Sequence, residues 1–350
     1  MSTTAGTDPV LVEVMRGDSV ESVHRGSIAI ADSGGRLLLT VGDVRRPVFP
    51  RSAVKAMQAL PLVESGAAAA FGLGEAELAV ACGSHSGDAV HLAAVGSILD
   101  RAGLKERDLA CGAHWPMSEP ASRELTRSGK TPGAIHNNCS GKHAGMLATA
   151  VHLGLDTKGY EQADHPVQKA IARAMSELCG FDLERAEKGV DGCSVPTLGF
   201  PLVALATGFA RLASGQGLTG DRKAAAQRLV EACFTEPVLV AGEGRFDTLV
   251  MRELAPKVFV KGGAEGVHCA ALPDLGLGIA VKMDDGVKRG TEATLAHLLA
   301  ALVPGAERVL SGHLAGDIRN WKGQKVGQIR AAATLQAALS ELSDQRATLA

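Results

Sequence analysis

Aromatic side chains are scarce in this chain and make up only 3% of its 350 residues. The core must therefore be built mainly from Ala, Val, Leu and Ile. No apolar run approaches the ~18 residues of a membrane span, so we predict no membrane partner. The formal net charge is only -2. This balance argues against the strongly basic surface that nucleic acid or an anionic membrane requires, and it favours a small substrate.

Cysteine is present, but not in the pattern of a disulfide framework. The seven cysteines are an odd number at irregular spacing, which indicates free thiols. Residues 1–9 are mostly polar, and the apolar stretch after them is broken by Glu13 and Arg16, so no signal peptide is predicted. Together these features predict a cytoplasmic protein with reduced thiols.

The overall composition is that of a soluble globular protein. Hydrophobic residues make up 46% and charged residues 21%, both ordinary values. A chain of this length can bury a sizeable core, as one large domain or as two closely packed ones. Strands predicted near both chain ends surround a helix-rich middle. We therefore predict an α/β (α+β) fold, with a mixed, largely antiparallel sheet and a helical lobe over roughly residues 52–235.

Apolar periodicity and turn residues define the individual elements. Strands are predicted at residues 10–15, 26–32, 36–41, 78–81, 257–261, 267–272, 276–283 and 325–330. Helices are predicted at residues 52–65, 87–101, 139–152, 166–179, 198–214, 221–233 and 290–303.

Ser52 and Lys55 form a Ser-x-x-Lys motif. A neutral lysine amine can remove the proton that makes a serine hydroxyl a poor nucleophile. The spacing i, i+3 places both side chains on one face of a predicted first helical turn, where the helix dipole favours an alkoxide. Alone, the motif is weak, because a solvated pair at a helix start has the same pattern.

Two later segments strengthen the motif. Ser84-His85-Ser86 follows an apolar run, and Lys261-Gly262-Gly263 ends another. This order parallels the three-part signature of penicillin-recognising serine enzymes, which is Ser-x-x-Lys, Ser-Asp-Asn and Lys-Thr-Gly. The second segment lacks the Asn and the third lacks the Thr, and the first two lie close together in sequence.

Seven segments carry a more specific resemblance. They are Arg51-Ser-Ala-Val-Lys55-Ala-Met-Gln58, Ala81-Cys-Gly-Ser84-His-Ser86-Gly-Asp88, His136-Asn-Asn-Cys139-Ser-Gly-Lys142-His143, Asp191-Gly-Cys193, Gly244-Arg-Phe-Asp-Thr248, Lys261-Gly-Gly-Ala-Glu-Gly266 and Asn320-Trp-Lys-Gly323. These segments extend over nearly the whole chain and resemble the asparaginase II family (Rhizobium-type, class 3 L-asparaginases). The resemblance implies a single asparaginase II-like catalytic domain over residues 1–350, similar in fold to serine β-lactamases and serine-dependent glutaminases.

The resemblance also implies an activity, the hydrolysis of L-asparagine to L-aspartate and ammonia through a double Ser–Lys site. Ser52 is the expected nucleophile and Lys55 its base. Ser84 and Lys261 form the second couple, which passes a proton to the leaving ammonia or to water. Backbone N–H groups near Ser52 and Gly262 are expected to hold the oxyanion. Which serine attacks is left open.

Both members of the second couple also have ordinary structural explanations. Ser84 could cap the helix that begins near Asp88, although Ser86 is better placed for that role. Lys261 ends an apolar strand, where a lysine often decorates a sheet edge. The two glycines after it instead favour a close approach of substrate to the backbone.

Four residues are candidates for substrate binding. An amino-acid substrate presents a carboxylate, which suits the Arg51 fork, and an ammonium, which suits Asp191. A surface ion pair would explain both residues equally simply. His143 is a candidate for a hydrogen bond to substrate, but a helical His is more often structural. Arg245 lies in a glycine-rich turn and is a further candidate.

Cys139, Lys142 and Cys193 are candidates for a zinc site. Two thiolates suit zinc, but lysine is a rare ligand because its amine must first lose a proton. From spacing alone, the two cysteines are better explained as small buried hydrophobes. The resemblance implies that zinc is held by these two Cys and the Lys, beside Asp191 and the serines. It also implies a homodimer.

Two alternatives stay open. The same chemistry would serve a glutaminase, another serine amidase or a β-lactam hydrolase, although the missing Asn argues against penicillin recognition. An alternative of another class is a non-enzymatic zinc-binding protein or thiol sensor that uses Cys139 and Cys193. The complete set of serines and lysines argues against that alternative, since a sensor needs no such pairs.

Overall fold

Both ends of the chain contribute strands to the main sheet. The computed structural model describes residues 8–349, with side chains as far as residue 344. Its strands β1 to β11 are, in chain order, Val10–Arg16, Ser19–Asp32, Leu37–Val41, Pro47–Val48, Glu187–Val190, Pro196–Pro201, Phe259–Gly262, Val267–Leu272, Leu277–Met283, Asp317–Arg319 and Lys325–Ala331. The order across the main sheet is β10-β11-β1-β2-β9-β8-β7, with β3 paired to β2. These pairs are antiparallel, so the predicted fold class is confirmed.

The structure tests only part of three predictions: the extent of the domain, the absence of a signal peptide and the absence of a membrane span. Residues 1–7 and residue 350 of the predicted domain lie outside the described residues. The same is true of the first seven residues of the segment on which the absence of a signal peptide was predicted. Within residues 8–349, no helix combines the length and the apolar composition needed to cross a bilayer.

The centre of the main sheet is covered on both faces. In β9, Leu277 to Val281 are all buried, and successive strand residues point to opposite faces. Strand β2 pairs with β9 from Gly26↔Met283 to Asp32↔Leu277. A side chain at Gly278 would lie 2.0 Å from Ala206 O. Only glycine therefore allows the sheet to approach the helix that carries Ala206 so closely.

Helices fill the middle of the chain, as predicted. The helices α1 to α16 of the described residues are, in chain order, Lys55–Gln58, Leu60–Glu64, Ala67–Ala70, Glu75–Ala81, Ala89–Arg101, Glu119–Arg127, Ser140–His152, Pro166–Cys179, Leu202–Ser214, Gly220–Thr235, Pro237–Val240, Phe246–Leu254, Lys288–Leu302, Ala306–Val309, Ser311–Ala315 and Ala333–Leu349. Helix α9 packs against β2, β8 and β9, and α13 packs against β1, β8 and β9. Helix α7 lies against α4 and α5, inside the helical lobe.

Two predictions of element type were wrong. Residues 78–81 were predicted as a strand but belong to helix α4, whose first turn is capped by Glu77 Oε2 accepting from Gly74 N–H at 3.0 Å. All four are buried, so their apolar run reflects a helix surrounded by protein. Residues 198–201 were predicted as helix but belong to β6, which pairs with β4 and β5. The helix begins only after Pro201.

Candidate active site

Ser52 and Ser84, the two serines of the predicted double site, lie next to each other. Ser52 belongs to a 3₁₀ turn at Arg51–Val54, and Ser84 follows the end of α4. The Ser84 hydroxyl donates toward Ser52 Oγ at 3.5 Å, the long limit of a hydrogen bond. Ser84 is fixed by its own backbone, because its N–H donates to Val240 O at 2.8 Å. The fold therefore brings together two hydroxyls from separate segments.

The segment that carries Ser52 is not the continuous helix predicted for residues 52–65. The 3₁₀ turn leads into α1, which ends at Gln58, and α2 begins near Pro61. Proline has no N–H for the helical ladder, which explains the break. Arg51 has a φ of 51°, a left-handed conformation that is costly for a residue other than glycine. Such strain is typical of functional sites and here lies directly before Ser52.

Lys55 is fully buried at the start of α1. Its Nζ donates to Gly83 O at 2.6 Å and to Asn138 O at 3.1 Å. Burial lowers the pKa of this amine and outweighs the thiol of Cys139, which acts in the opposite direction. Within the described part of the chain, no hydrogen bond joins Lys55 Nζ to Ser52 Oγ. Burial thus shifts this amine toward its neutral, basic form, and its Nζ hydrogen-bonds to the backbone just before Ser84.

Lys261 is also fully buried, so it is not a solvent-exposed lysine of the edge strand β7 on which it lies. Its Nζ donates to Gly262 O at 2.8 Å and lies 3.8 Å from Asp247 Oδ2. Burial lowers the pKa of Lys261 to about 8, and the Asp247 carboxylate opposes that effect. A side chain at Gly263 would lie 2.5 Å from Pro50 O. This glycine therefore lets the end of β7 touch the segment that carries Ser52.

The two glycines after Lys261 do not offer the predicted oxyanion donors. The Gly262 N–H donates to Asp247 Oδ2 at 2.9 Å, and the Gly263 N–H donates to Val267 O at 2.8 Å. Their hydrogens are used to fix Asp247 and to close the turn between β7 and β8. The predicted approach of substrate to this backbone is likewise replaced by a contact with the protein's own chain.

Arg51 and Asp191 form an ion pair with each other. Arg51 Nη2 lies 2.8 Å from Asp191 Oδ1, and Nε donates to the same oxygen at 2.9 Å. Burial would raise the pKa of Asp191, but the charges of Lys142 and Arg51 hold it below its usual value. Both residues line a cavity of about 1050 Å³ between α8 and the β5–β6 hairpin. The pair is thus more buried than a surface ion pair and borders a space for a ligand.

The other two predicted substrate residues differ in their surroundings. His143 is fully buried in α7, and its Nδ1 shares a 2.7 Å hydrogen bond with the Tyr160 hydroxyl. Burial lowers its pKa far below the usual value, which favours the structural explanation. Arg245 is half-buried before α12, and its Nη1 donates to Ser86 Oγ at 3.5 Å. It therefore lies close to the Ser84 segment.

Cys139, Lys142 and Cys193, the predicted zinc ligands, lie together beside Lys55. Lys142 Nζ donates to Cys193 Sγ at 3.1 Å. A hydrogen bond from Cys193 and the nearby charges of Lys55 and Lys142 hold the pKa of Cys139 well below its usual value. The part of the chain that the structure describes contains no group of three or more His, Cys, Asp and Glu side chains that could hold a metal. Any zinc would need the Lys142 amine as its third protein ligand.

Asp247 and His268 were missed by the sequence reasoning. Asp247 Oδ1 accepts from His268 Nε2 at 2.8 Å, and both residues are fully buried directly behind Lys261. Burial would raise the pKa of Asp247, but its contacts with His268, Lys261 and the Gly262 N–H hold it well below the usual value. Only the family-like segment Gly244–Thr248 could have pointed to Asp247. Nothing in the sequence indicated its partner.

The candidate residues offer complementary chemical groups. Two hydroxyls in contact can act as a nucleophile and a proton relay. Two buried lysines, both with lowered pKa values, can supply a base and an acid. The Arg51–Asp191 pair offers one charge of each sign at the edge of a cavity.

Comparison with known proteins is consistent with this chemistry. A sequence model of the family described as L-asparaginase II matches residues 12–331. No curated protein matches the chain in sequence.

Solved structures that are similar to the chain include Mglu and a β-lactamase. Mglu in its native form has 17% identity and a TM-score of 0.44, over 79% of this chain and 64% of that one. Its glutamate form has 16% identity and a TM-score of 0.42, over 79% and 60%. The chain thus spans less than two thirds of the length of Mglu. A β-lactamase from Mycobacterium bovis has 13% identity and a TM-score of 0.36, over 82% of this chain and 94% of that one.

Proposed function

The chain belongs to the L-asparaginase II family, a family of amidohydrolases, and we propose that it hydrolyses L-asparagine to L-aspartate and ammonia. The observation that carries this proposal is the contact between Ser84 Oγ and Ser52 Oγ at 3.5 Å, with the buried amines of Lys55 and Lys261 nearby. A non-enzymatic thiol sensor would have no use for two buried lysines beside two serines.

Ser52 is the proposed nucleophile. Its Oγ attacks the side-chain amide carbon, and its proton passes to Lys55, whose neutral form burial favours. Lys55 Nζ reaches the hydroxyl by a side-chain rotation away from Gly83 O, which it contacts at 2.6 Å. The carbon–nitrogen bond then breaks and leaves an ester on Ser52.

Ser84 and Lys261 supply the proton that the leaving group needs. Lys261, with a pKa of about 8, is mostly protonated at neutral pH. Its proton passes through Ser84 Oγ to the amide nitrogen, which leaves as ammonia. In the second half-reaction, water attacks the ester and returns a proton through Ser84 to Lys261. Lys55 returns its proton to Ser52 Oγ, so all groups recover their starting states.

Arg51 and Asp191 recognise the α-carboxylate and α-ammonium of the substrate. Among the described residues, the hydrogen bonds from Arg51 and from Gly192 N–H both go to Asp191 Oδ1. Oδ2 is therefore left for an ammonium, while Arg51 Nη1 is left for a carboxylate. The adjoining cavity of about 1050 Å³ is large enough for a free amino acid, and Arg245 is placed to contact substrate from the Ser86 side.

We also propose that Cys139, Lys142 and Cys193 hold zinc. Two sulfurs and one amine converge, and a thiolate at Cys139 is already favoured. Burial lowers the pKa of Lys142, but Cys139 and Cys193 raise it overall, so zinc would have to displace the proton of this amine. Bound zinc would keep both thiols deprotonated. The three side chains join α7 to the Asp191 segment, so their role is to order the substrate pocket. The seven cysteines are free and buried, which supports a cytoplasmic location, and the family resemblance supports a homodimer.

The proposed activity is tested with purified protein by measuring ammonia release from L-asparagine and from L-glutamine, with nitrocefin hydrolysis in parallel. We expect a much higher kcat/KM for asparagine than for glutamine and no colour change with nitrocefin. A preference for glutamine would make the protein a glutaminase, and turnover of nitrocefin alone would make it a β-lactamase. The Ser52→Ala variant is the control for contaminating amidase, and it should release no ammonia.

A further inference from the structure

A buried carboxylate stands behind Lys261 at the base of the site. Asp247 lies near the start of α12, and only 3% of the residue is exposed. Its Oδ2 accepts from the Gly262 N–H at 2.9 Å and its Oδ1 accepts from His268 Nε2 at 2.8 Å. Both oxygens are therefore fixed, one from β7 and one from β8. A carboxylate held in this way has little freedom to move when the charge of a neighbour changes.

The hydrogen bonding assigns the proton of His268 to Nε2. The ring is fully buried against Phe246, with centroids 5.2 Å apart. Its Nδ1 has no hydrogen-bond partner among the described residues. A proton on Nδ1 would be a buried donor without an acceptor, which is costly. The Nε2–H of His268 therefore donates to Asp247 and holds the carboxylate in place from the β8 side.

The negative charge of the Asp247 carboxylate acts on the Lys261 amine. Asp247 Oδ2 lies 3.8 Å from Lys261 Nζ, too long for a direct hydrogen bond but close for two buried charges. The other ionisable groups around the amine are the basic side chains of Lys55, Arg245 and Lys288 and the thiols Cys82 and Cys269. Burial favours loss of the Lys261 proton, and so does each of the three basic groups while it is protonated. The Asp247 carboxylate opposes them.

We propose that Asp247 is a positioning residue for Lys261, and that its fixed carboxylate keeps the buried amine protonated until ammonia departs. His268 and the Gly262 N–H hold Asp247 in place for this purpose. The proposal rests on the proposed function, in which Lys261 is the proton donor. It also explains why the Gly262 N–H is bound to a carboxylate and not free for an oxyanion.

Asp247→Asn separates this role from a purely structural one. The amide oxygen can still accept from the Gly262 N–H, and the amide N–H₂ can donate to His268 Nε2 once the ring changes tautomer. The variant thus removes the charge and keeps the hydrogen bond to the Gly262 N–H, while the tautomer change places an unpartnered proton on the buried Nδ1. Glu243→Gln is the matched control, since it removes the charge of an exposed carboxylate that is paired with Arg252.

The experiment measures the Lys261 pKa by NMR of ¹³Cε-labelled lysine, with the resonance assigned from Lys261→Arg. We expect a pKa of about 8 in the wild type and in Glu243→Gln. In Asp247→Asn we expect a value lower by about 1–3 units, the effect of losing an adjacent opposite charge. At pH 7 turnover should then fall about 2- to 90-fold through loss of the protonated fraction, and the deficit should shrink as the pH is lowered.

An unchanged Lys261 pKa in folded Asp247→Asn would overturn the proposal. If that variant does not fold, the Lys261 pKa is measured in Asp247→Glu, which keeps the negative charge. A Lys261 pKa within one unit of wild type supports the proposal, and a larger fall overturns it. The NMR readout needs no substrate. A pKa shift in a protein that does not hydrolyse asparagine would therefore refute the proposed function alone, and asparagine hydrolysis without the shift would refute this inference alone.

Discussion

Ser84 Oγ lies 3.5 Å from Ser52 Oγ, although 32 residues separate the two serines in the chain. Ser84 is buried and Ser52 is partly buried, and the carbonyl of Gly83, the residue before Ser84, accepts from the buried Lys55 amine at 2.6 Å. Lys55 approaches from α1 through the Gly83 carbonyl, and Lys261 approaches from the edge strand β7. In the proposed mechanism, Lys55 is the base and Lys261 is the acid.

Replacing Lys55 by Met should lower kcat by about 10²- to 10⁴-fold, the usual contribution of a general base. The variant should also be less stable, because the buried Gly83 O loses its donor, a loss of about 1–3 kcal/mol, whereas Asn138 O keeps the His85 N–H. Steady-state kinetics and denaturant unfolding measure the two effects. Lys158→Met, at an exposed position, is the control and should change neither.

The alkaline side of the pH profile should report Lys261. A proton donor works only in its protonated form, and burial lowers the pKa of this amine to about 8. Activity should therefore fall as pH rises through about 8, whereas a donor with an ordinary lysine pKa would work to about pH 10. Measuring kcat/KM for asparagine between pH 6 and 10 checks this. A flat profile up to pH 10 would contradict the assigned role.

Asp191→Asn should raise KM for asparagine by roughly 10- to 100-fold, with a smaller effect on kcat, because it removes a charge-assisted bond to the substrate ammonium. Glu184→Gln is the matched control, since Glu184 is an exposed carboxylate that lines the same cavity. Its KM should stay unchanged. Equal losses of kcat and kcat/KM in Asp191→Asn would instead indicate a role only in the transition state.

Protein purified without chelator should contain zinc, measured by plasma mass spectrometry. Cys193→Ser should lose it, whereas Cys179→Ser, at a buried thiol in α8, should keep it. Because the metal is assigned to ordering the pocket, its removal should raise KM more than it lowers kcat. A metal-free wild type would exclude the site, and a collapse of kcat at constant KM would exclude the role.

The fold class and the closeness of Ser52 to Ser84 could be predicted because short sequence motifs and apolar runs indicate both. The Ser-x-x-Lys spacing and the family-like segments marked the serines and lysines before their distances were known. Strand β9 and its partner β2 were visible as apolar runs between turns. These features depend on a few neighbouring residues each.

The features that escaped prediction depend on tertiary packing. Residues 78–81 form the end of helix α4 and are surrounded by protein on every side. Their unbroken apolar run therefore does not distinguish a helix from a strand. The Gly262 N–H was expected to be free, but it is bound by Asp247, which reaches it from α12. The partner of that carboxylate, His268, lies on β8 and belongs to no motif. Only the pairing of β7 with β8 brings it there.

The most direct test of the account is to identify the serine that carries the acyl group. Wild type, Ser84→Ala and Ser52→Ala would be mixed with asparagine, quenched within milliseconds and digested for peptide mass spectrometry. Ser33→Ala, far from the site, is the control. The account predicts an aspartyl ester on Ser52 that forms and decays more slowly in Ser84→Ala, because Ser84 relays a proton in both half-reactions, and no ester or turnover in Ser52→Ala. An ester on Ser84, or near-normal turnover by Ser52→Ala, would contradict it.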